Sequence, residues 1–402
     1  MIKKIPIDEL KPGMQVVQLS SEVWEHMPFL YSTPGVIESE DHLAKIKEQG
    51  YRHCFIEASD NGGGVSLDKR LDSMLAEREH TQPSPPLVPF EREMAVAQMA
   101  YENAMLHARR IVTDTKLGRK VQFGDTVETV GSMVDSALRN HHTLLCLLKL
   151  NDYDEYTYVH CINVAAIAVI YGEYLGMTRE ELVVLGAAGM MHDLGKTAVP
   201  DSIINKRGRL TEAEFKEIMR HPRYGYDMLA RDPAVPQEAL DAVLHHHERG
   251  NGRGYPSGLK KSETSAMGRI IALADVYDAL TSDRSYKDAI LPNKALAIMY
   301  GMREHDFDPL EVQLFIKCLG IYPSGSLVKL NTGDYGVVFE TNPLKPLAPK
   351  VKVILNEHLR PVQPSMLDLA GEQALDRGVE ILECADPAAF RINLKPYLLP
   401  KG

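Results

Sequence analysis

Two stretches decide the fold of this chain: His192-Asp193-Leu194-Gly195-Lys196 and the run from His245-His246-His247 to Gly254-Tyr255-Pro256. Both stretches place imidazole or carboxylate groups at the ends of apolar segments with helical spacing. Burying such groups costs free energy unless they are hydrogen-bonded, paired or coordinated to metal. The two stretches therefore predict a helical core whose helix ends meet at a metal centre.

Three further candidate ligands lie in the same helical region. His160 lies at the start of an apolar helix, His221 precedes Pro222, and Asp275 lies within the apolar segment 270–280. With the histidines and the aspartate of the two stretches, they make a mixed nitrogen and oxygen set without a thiolate. Such a set suits a pair of first-row cations rather than one structural zinc.

Each candidate also has an ordinary structural interpretation. A single histidine on an apolar helix is usually a hydrogen-bonded core residue, the His-Asp pair can cap a helix, and Asp275 can bond a backbone amide. Only the conjunction of five histidines and two aspartates at these intervals favours a metal centre. No ligand role is assigned to His245, or to His141 and His142, which we expect at a solvated helix end.

The composition excludes several classes of protein. The chain has 402 residues and a net charge of −10, which argues against binding to a nucleic acid polymer. Its five cysteines form no CxxC motif and indicate buried thiols in a reducing compartment. The N-terminus lacks the apolar core of a signal peptide, and no long uncharged apolar run follows, so we expect a cytoplasmic protein without a membrane segment.

Periodicity predicts a mainly α chain with β structure at both ends. Strands are expected at 15–19 and 52–56, and again at 326–330, 336–339 and 351–354, where turn residues separate the runs of a small antiparallel unit. Between about 90 and 320 the spacing is almost wholly helical. Thr178 with Glu181 and Thr211 with Glu214 predict capping boxes at two helix starts.

The same reading predicts four segments along the chain. A small α+β N-terminal domain covers 1–65, a linker with connecting helices covers 66–120, and a helical core of the HD type covers 121–320. A short β-containing extension covers 321–402. The proline-rich stretch 81–89 is the clearest linker.

The longer phrases around the candidate ligands resemble the HD-GYP family of cyclic di-GMP phosphodiesterases. The resemblance covers about residues 121–320, and it rests on the phrases 154–161, 192–196, 210–222, 246–259 and 274–281. The segment before the linker is similar to the small N-terminal domain that often precedes HD-GYP in such enzymes. The fold that this resemblance implies is a mainly α, HD-type helical bundle.

The resemblance implies a binuclear centre. One metal would be surrounded by His160, His192, Asp193 and Asp275, with Asp193 bridging to a second metal. The second metal would be held by the remaining three ligands, His221, His246 and His247. Imidazoles with a bridging carboxylate favour iron or manganese, and two such cations about 3.5–4 Å apart activate a shared water.

The resemblance also implies the substrate contacts. His192, Asp193 and Lys196 would be catalytic, and Lys196, Arg284 and Lys287 would contact the phosphates of a doubly anionic substrate. Tyr255 would stack on a guanine or line the pocket. Surface salt bridges for the cations, and a tight turn or a partner contact for the Tyr255 loop, remain the alternatives.

Three positions depart from the family pattern. Asn251-Gly252 stands where Asp-Gly is frequent, and Ser285 stands where proline is common. Members that hold three metals carry a glutamate four residues before the first histidine, where this chain has Tyr156. We therefore expect two divalent cations per chain.

The implied activity is hydrolysis of cyclic di-GMP to linear pGpG and on to GMP. The alternatives are a non-catalytic cyclic di-GMP receptor, a scaffold for GGDEF-domain proteins, or a general HD-superfamily phosphohydrolase that acts on nucleotides. The phrase Gly254-Tyr255-Pro256 and the paired His246-His247 argue against the last alternative. Cyclic di-GMP and, secondarily, GGDEF-domain proteins are thus the expected partners.

Overall fold

The chain divides into two compact units, Met1–Gln82 and Pro83–Gly402. The structure is a computed structural model that covers most of the second unit and scattered segments of the first. It describes residues 2–6, 15–20, 35–36, 53–57, 67–78, 85–150, 156–206, 208–283, 289–303 and 305–399.

The first unit contains a four-stranded antiparallel sheet and one described helix. The strands are β1 (Ile2–Pro6), β2 (Gln15–Ser20), β3 (Gly35–Val36) and β4 (His53–Glu57), and helix α1 covers Leu67–Arg78. The sheet order is β1-β4-β2-β3. The two strands predicted here are confirmed, whereas β1 was not predicted because its adjacent lysines, Lys3 and Lys4, break the alternation of a half-buried strand.

Helices form most of the second unit, and the prediction of a mainly α chain is confirmed. They are α2 (Phe90–Lys116), α3 (Phe123–Leu150), α4 (Tyr156–Leu175), α5 (Arg179–Met191), α6 (Asp201–Ile204), α7 (Glu212–Ile218), α8 (His221–Leu229), α9 (Gln237–His245), α10 (Ala266–Thr281), α11 (Pro292–Met302), α12 (Pro309–Leu319), α13 (Glu372–Asp376) and α14 (Lys395–Leu398). Both predicted capping boxes are present, at Thr178 and Thr211.

The core of this unit is built around α4, which packs against α5 and α10, while α9 packs against the same two helices. The window Tyr158–Leu175 is long and apolar enough to cross a membrane, and 78% of it is buried inside the structure. Burial of this extent is what the core helix of a globular unit shows, and it places His160 in the interior.

Helix α3 is interrupted near its middle. Asn140 has extended backbone angles (φ −162°, ψ 96°), so the helical direction changes there. The expectation of a solvated end at His142 is wrong: this side chain is buried, and its Nδ1 lies 3.0 Å from Ser324 Oγ. The Asn140 break, one turn before the apolar run that begins at Leu144, turns the histidine inward.

The C-terminal region contains a five-stranded antiparallel sheet. Its strands are β5 (Leu327–Leu330), β6 (Tyr335–Glu340), β7 (Lys350–Leu355), β8 (Pro361–Asp368) and β9 (Ile381–Cys384), in the order β8-β7-β6-β5-β9. The three predicted C-terminal strands are confirmed. Strand β8 was not predicted, because most of its residues are exposed and it lacks an alternating apolar pattern.

Candidate metal centre

The seven predicted ligands come from the ends or the middle of five helices, and the packing of those helices brings them together. His160 lies in the first turns of α4, and Asp275 lies inside α10, beside it. The others lie at helix ends: His192 and Asp193 after α5, His221 at the start of α8, and His246 and His247 after α9.

The ligand atoms form two groups, within each of which they lie within 4.8 Å of one another. The first group consists of Asp193, His221, His246 and His247; the second consists of His160, His192 and Asp275. Either group has the donor types and the number of ligands that a divalent first-row cation takes.

Asp193 faces both groups. Its Oδ1 lies 3.2 Å from His221 Nε2, while its Oδ2 lies 3.4 Å from His192 Nε2 and 3.7 Å from His160 Nε2. One carboxylate thus presents a separate oxygen to each group, which is the arrangement of a bridging ligand.

Backbone carbonyl groups determine the tautomers of three histidines. The Nδ1 atoms of His192, His221 and His246 each lie 2.7 Å from the carbonyl oxygen three residues earlier. A carbonyl oxygen only accepts, so in the neutral ring Nδ1 carries the proton and Nε2 presents a lone pair. The helix ends therefore aim three unprotonated nitrogen atoms at the centre.

This arrangement fits a bound cation. His221 Nε2 lies 3.2 Å from His246 Nε2, and with these tautomers two lone pairs face each other. Within the described part of the chain, the buried atoms His192 Nε2 and Asp193 Oδ1 have no hydrogen-bond partner. Cations bound in the two groups would satisfy all of these atoms, whereas leaving them unsatisfied costs about 1–3 kcal/mol each.

Charges at the centre compensate one another. Burial acts to raise the pKa of Asp193, but Lys196 and His192 outweigh it and hold that pKa well below its usual range. Burial lowers the pKa of both His246 and His247 well below the ordinary value, which keeps them neutral as ligands must be. For His160, Asp275 and Asp278 overcome burial and raise the pKa to about 9, so metal binding there must displace a proton.

Comparison with known proteins agrees with this geometry. The family model "HD domain" matches residues 135–310, a domain of unknown function matches 2–126, and "KOW domain associated with HD domain" matches 327–375. A cyclic di-GMP phosphodiesterase of Pseudomonas aeruginosa is 35% identical over 94% of this chain and 91% of its own length. The chain belongs to the HD-GYP family.

Two other relatives match shorter parts of the chain. A cyclic di-GMP phosphodiesterase response regulator of Xanthomonas campestris pv. campestris is 39% identical over 47% of this chain and 50% of its own length. A 3'3'-cGAMP-specific phosphodiesterase of Vibrio cholerae is 26% identical over 65% of this chain and 51% of its own length.

In this HD-GYP chain, Lys196 lies beside the bridging carboxylate. Its Nζ is 2.5 Å from Asp193 Oδ2, and a third of its side chain is exposed. Burial acts to lower the pKa of Lys196, but the Asp193 carboxylate outweighs it and raises that pKa. The result is a charged donor that borders both the metal ligands and solvent.

Tyr255 lies over the ligand His247, with the two ring centroids 4.6 Å apart. Its loop is held by the buried carboxylate of Glu248, which accepts hydrogen bonds from the amides of Ser257 (2.7 Å) and Leu259 (2.9 Å). Gly254 is required there, because a Cβ would overlap the Glu248 backbone. Tyr255 therefore forms one wall of the site.

Three predicted positions lie outside the described residues. They are Arg284 and Lys287, in the segment 284–288, and the side chain of Tyr156, whose backbone begins α4. Their contacts with substrate or metal stay predictions from the resemblance.

Sequence reasoning missed two residues behind the ligands. Asp278 Oδ2 accepts a hydrogen bond from His160 Nδ1 at 2.7 Å, and Asn163 Nδ2 donates to Asp278 Oδ1 at 2.8 Å. Partners of this kind fix the orientation and the tautomer of a ligand histidine. A signal was available: each residue follows a ligand by three positions, on the same helical face.

Proposed function

We propose that this chain is a metal-dependent phosphodiesterase that hydrolyses cyclic di-GMP to linear pGpG and on to GMP. The observation that carries the proposal is Asp193, a buried carboxylate with one oxygen toward each of two complete ligand groups. The relative from Pseudomonas aeruginosa, similar over nearly the whole chain, supports the choice of substrate.

The proposed cofactor is a pair of divalent cations, iron or manganese. His160, His192 and Asp275 would hold one, and His221, His246 and His247 the other, with Asp193 shared. When bound, such a pair lowers the pKa of a water and stabilises the charge that develops on the phosphate. Neither ligand group contains a cysteine among the described residues, which supports these metals over structural zinc.

The side chains of this chain would bind and orient the dinucleotide. Lys196, kept charged beside Asp193, can donate a hydrogen bond to a phosphate oxygen, which is a strong charge-assisted contact. Arg284 and Lys287 would supply further donors, and Tyr255 would offer its ring to a guanine. His192 and Asp193 would contribute by holding the cations beside the reacting phosphate.

Two expectations accompany this proposal. GGDEF-domain proteins remain the predicted protein partners, and the resemblance to the family implies that they would contact the loop of Tyr255. The predicted cytoplasmic location follows from the reducing environment that the cysteines indicate. Among the cysteines that the structure describes, Cys146, Cys161, Cys318 and Cys384 are free and buried.

The test is an assay of purified protein reconstituted anaerobically with Fe²⁺ or Mn²⁺. Cyclic di-GMP and 3'3'-cGAMP are supplied in parallel, and linear dinucleotides and GMP are separated by chromatography. We expect cyclic di-GMP to yield pGpG and GMP faster than 3'3'-cGAMP yields its products. Tight binding of cyclic di-GMP without product would favour the receptor alternative, and a preference for 3'3'-cGAMP would overturn the proposed substrate.

A further inference from the structure

A line of buried hydrogen bonds connects α2 to a metal ligand. Tyr101 Oη lies 2.8 Å from Asn163 Oδ1, and Asn163 Nδ2 lies 2.8 Å from Asp278 Oδ1. Asp278 Oδ2 then lies 2.7 Å from His160 Nδ1. All four side chains are at most 4% exposed.

The direction of each bond follows from chemistry. A carboxylate only accepts, so both Asn163 and His160 donate to Asp278. The amide of Asn163 must then turn its carbonyl oxygen toward Tyr101, whose hydroxyl donates to it. The opposite amide orientation would set a carbonyl oxygen against the Asp278 carboxylate and would leave the Tyr101 hydroxyl without an acceptor on Asn163.

The line of bonds fixes the tautomer of His160. Nδ1 keeps its proton for Asp278, so the proton that metal binding displaces is the one on Nε2, which faces Asp275 and Asp193 at 3.1 and 3.7 Å. Ser282 Oγ also donates to Asp278 Oδ1, at 3.0 Å. Asp278 therefore accepts three side-chain hydrogen bonds, and the hydroxyl of Tyr101 holds one of the donors, Asn163.

Tyr101 lies outside the part of the chain that matches the HD domain. That match begins at residue 135, whereas Tyr101 falls within the segment 2–126 that matches a domain of unknown function. Helix α2 packs against α3 and α4, which brings the Tyr101 ring beside Asn163. The segment before the HD domain thus contributes a buried polar atom to the surroundings of the metal centre.

We propose that Tyr101 is a positioning residue for the metal ligand His160, acting through Asn163 and Asp278. The inference rests on the proposed metal-dependent function. It assigns to α2 a role in setting the affinity of one cation, the one held by His160, His192 and Asp275.

The first test variant is Tyr101→Phe, which removes one hydroxyl and keeps the ring. The lost hydrogen bond acts on His160 only through two other side chains. The Mn²⁺ dissociation constant of one site should therefore rise by roughly 2- to 10-fold, and that of the other site should stay unchanged. Asp278→Asn, which cannot accept from both His160 and Asn163, should weaken the same equilibrium by about 10- to 100-fold.

The matched control is Tyr171→Phe. Tyr171 is as deeply buried as Tyr101, and its hydroxyl donates to the backbone oxygen of Glu311 at 2.7 Å, a contact outside the line of bonds to His160. Both substitutions remove the same atom from a similar environment. A general structural effect would therefore appear in both variants, as a similar decrease in the melting temperature of the metal-free protein.

The measurement is an equilibrium titration of metal-free full-length protein with Mn²⁺ against a competing chelator. We expect Tyr101→Phe to bind Mn²⁺ more weakly at one site only. We expect Tyr171→Phe to bind Mn²⁺ at both sites as tightly as the wild type. Identical Mn²⁺ affinities in the two variants and the wild type would overturn the assignment. This readout is independent of turnover, so a wild-type protein that binds Mn²⁺ without hydrolysing cyclic di-GMP would contradict the proposed function and leave the role of Tyr101 decided by the titration.

Discussion

Asp193 owes its position to the end of α5, where the chain leaves the helix and enters a short 3-10 turn, Leu194–Ala198. At this point Oδ1 faces His221 on α8, and Oδ2 faces His160 on α4 and the adjacent His192. Cations held in the two ligand groups would share this carboxylate. Removing it should affect both cations at once.

We predict that Asp193→Ala loses both metals and all activity. Replacing a residue that hydrogen-bonds a metal ligand typically reduces activity by about 10- to 100-fold. Asp193→Ala removes the ligand itself, so the loss of activity should be larger. Metal content per chain by elemental analysis, beside the rate of cyclic di-GMP hydrolysis, checks this. Asp227→Ala, which breaks an exposed pair with Arg223, is the control, and full metal occupancy in Asp193→Ala would refute the bridging role.

Arg284 tests the substrate contacts rather than the metals. Arg284→Ala should leave the metal content unchanged and reduce kcat/KM by about 10- to 150-fold, equivalent to 1.5–3 kcal/mol for one charge-assisted contact. Arg231→Ala, an exposed arginine after α8, serves as the control. If Arg284→Ala has the same kinetics as the control, Arg284 does not contact the substrate and is an ordinary surface residue.

At the scale of single residues, sequence alone singled out every side chain that the structure brings together in the two ligand groups. Those residues stand in unusual phrases, such as His192-Asp193, that apolar packing does not require. It did not single out Asp278 or Asn163, because either residue alone is an ordinary polar group on a helix. Their role becomes visible only when α4 and α10 are placed side by side.

Among the elements, the ends of helices do most of the positioning. His192 and His246 each bond the carbonyl oxygen three residues earlier at the end of their own helix, and His221 at the start of α8 bonds the last carbonyl of α7. The backbone therefore supplies the fixed partner that a ligand histidine requires. This holds the three rings without any additional side chain.

Close contact between two elements depends on Gly195. The 3-10 turn that follows Asp193 packs against α8, and a Cβ at position 195 would overlap the backbone of His221 and Gly225. Such contact keeps His221 within reach of Asp193. Because Gly195 has no Cβ, the two backbones can approach each other this closely.

We predict that Gly195→Ala separates the turn from α8. The free energy of unfolding should fall by about 1–3 kcal/mol, as in an overpacked core, and metal bound by the group of His221 should be lost first. Gly301→Ala is the control, because nothing lies within 4 Å of a Cβ at that exposed helical position. Denaturant unfolding and metal analysis measure both effects, and a Gly195→Ala protein with normal stability and metal content would contradict this account of the turn.

Helices were easier to predict than strands for a physical reason. Capping boxes and apolar periodicity are local signals, and both were present at α5 and α7. Strand β9 pairs with β5, more than 50 residues earlier in the chain. Its hydrogen bonds come from that distant partner, so its own sequence carries little of the information.

At the scale of the whole molecule, the family matches and the compact units divide the chain differently. The match to a domain of unknown function extends over 2–126, while the contact boundary falls between Gln82 and Pro83. The predicted boundaries at 65, 120 and 320 remain predictions. Helix α2 belongs to the second compact unit and also to the segment that matches the domain of unknown function.

The most direct test of the whole account is a titration of activity against bound metal. Metal-free protein receives increasing equivalents of Mn²⁺ or Fe²⁺ under anaerobic conditions, and the initial rate of cyclic di-GMP hydrolysis is measured at each step. In the proposed centre the two ligand groups would share Asp193 and both cations would act on one phosphate. The rate should therefore stay well under half of its maximum at one equivalent and reach the maximum at two. A maximal rate at one equivalent, a requirement for three, or no hydrolysis with two metals bound would contradict the account.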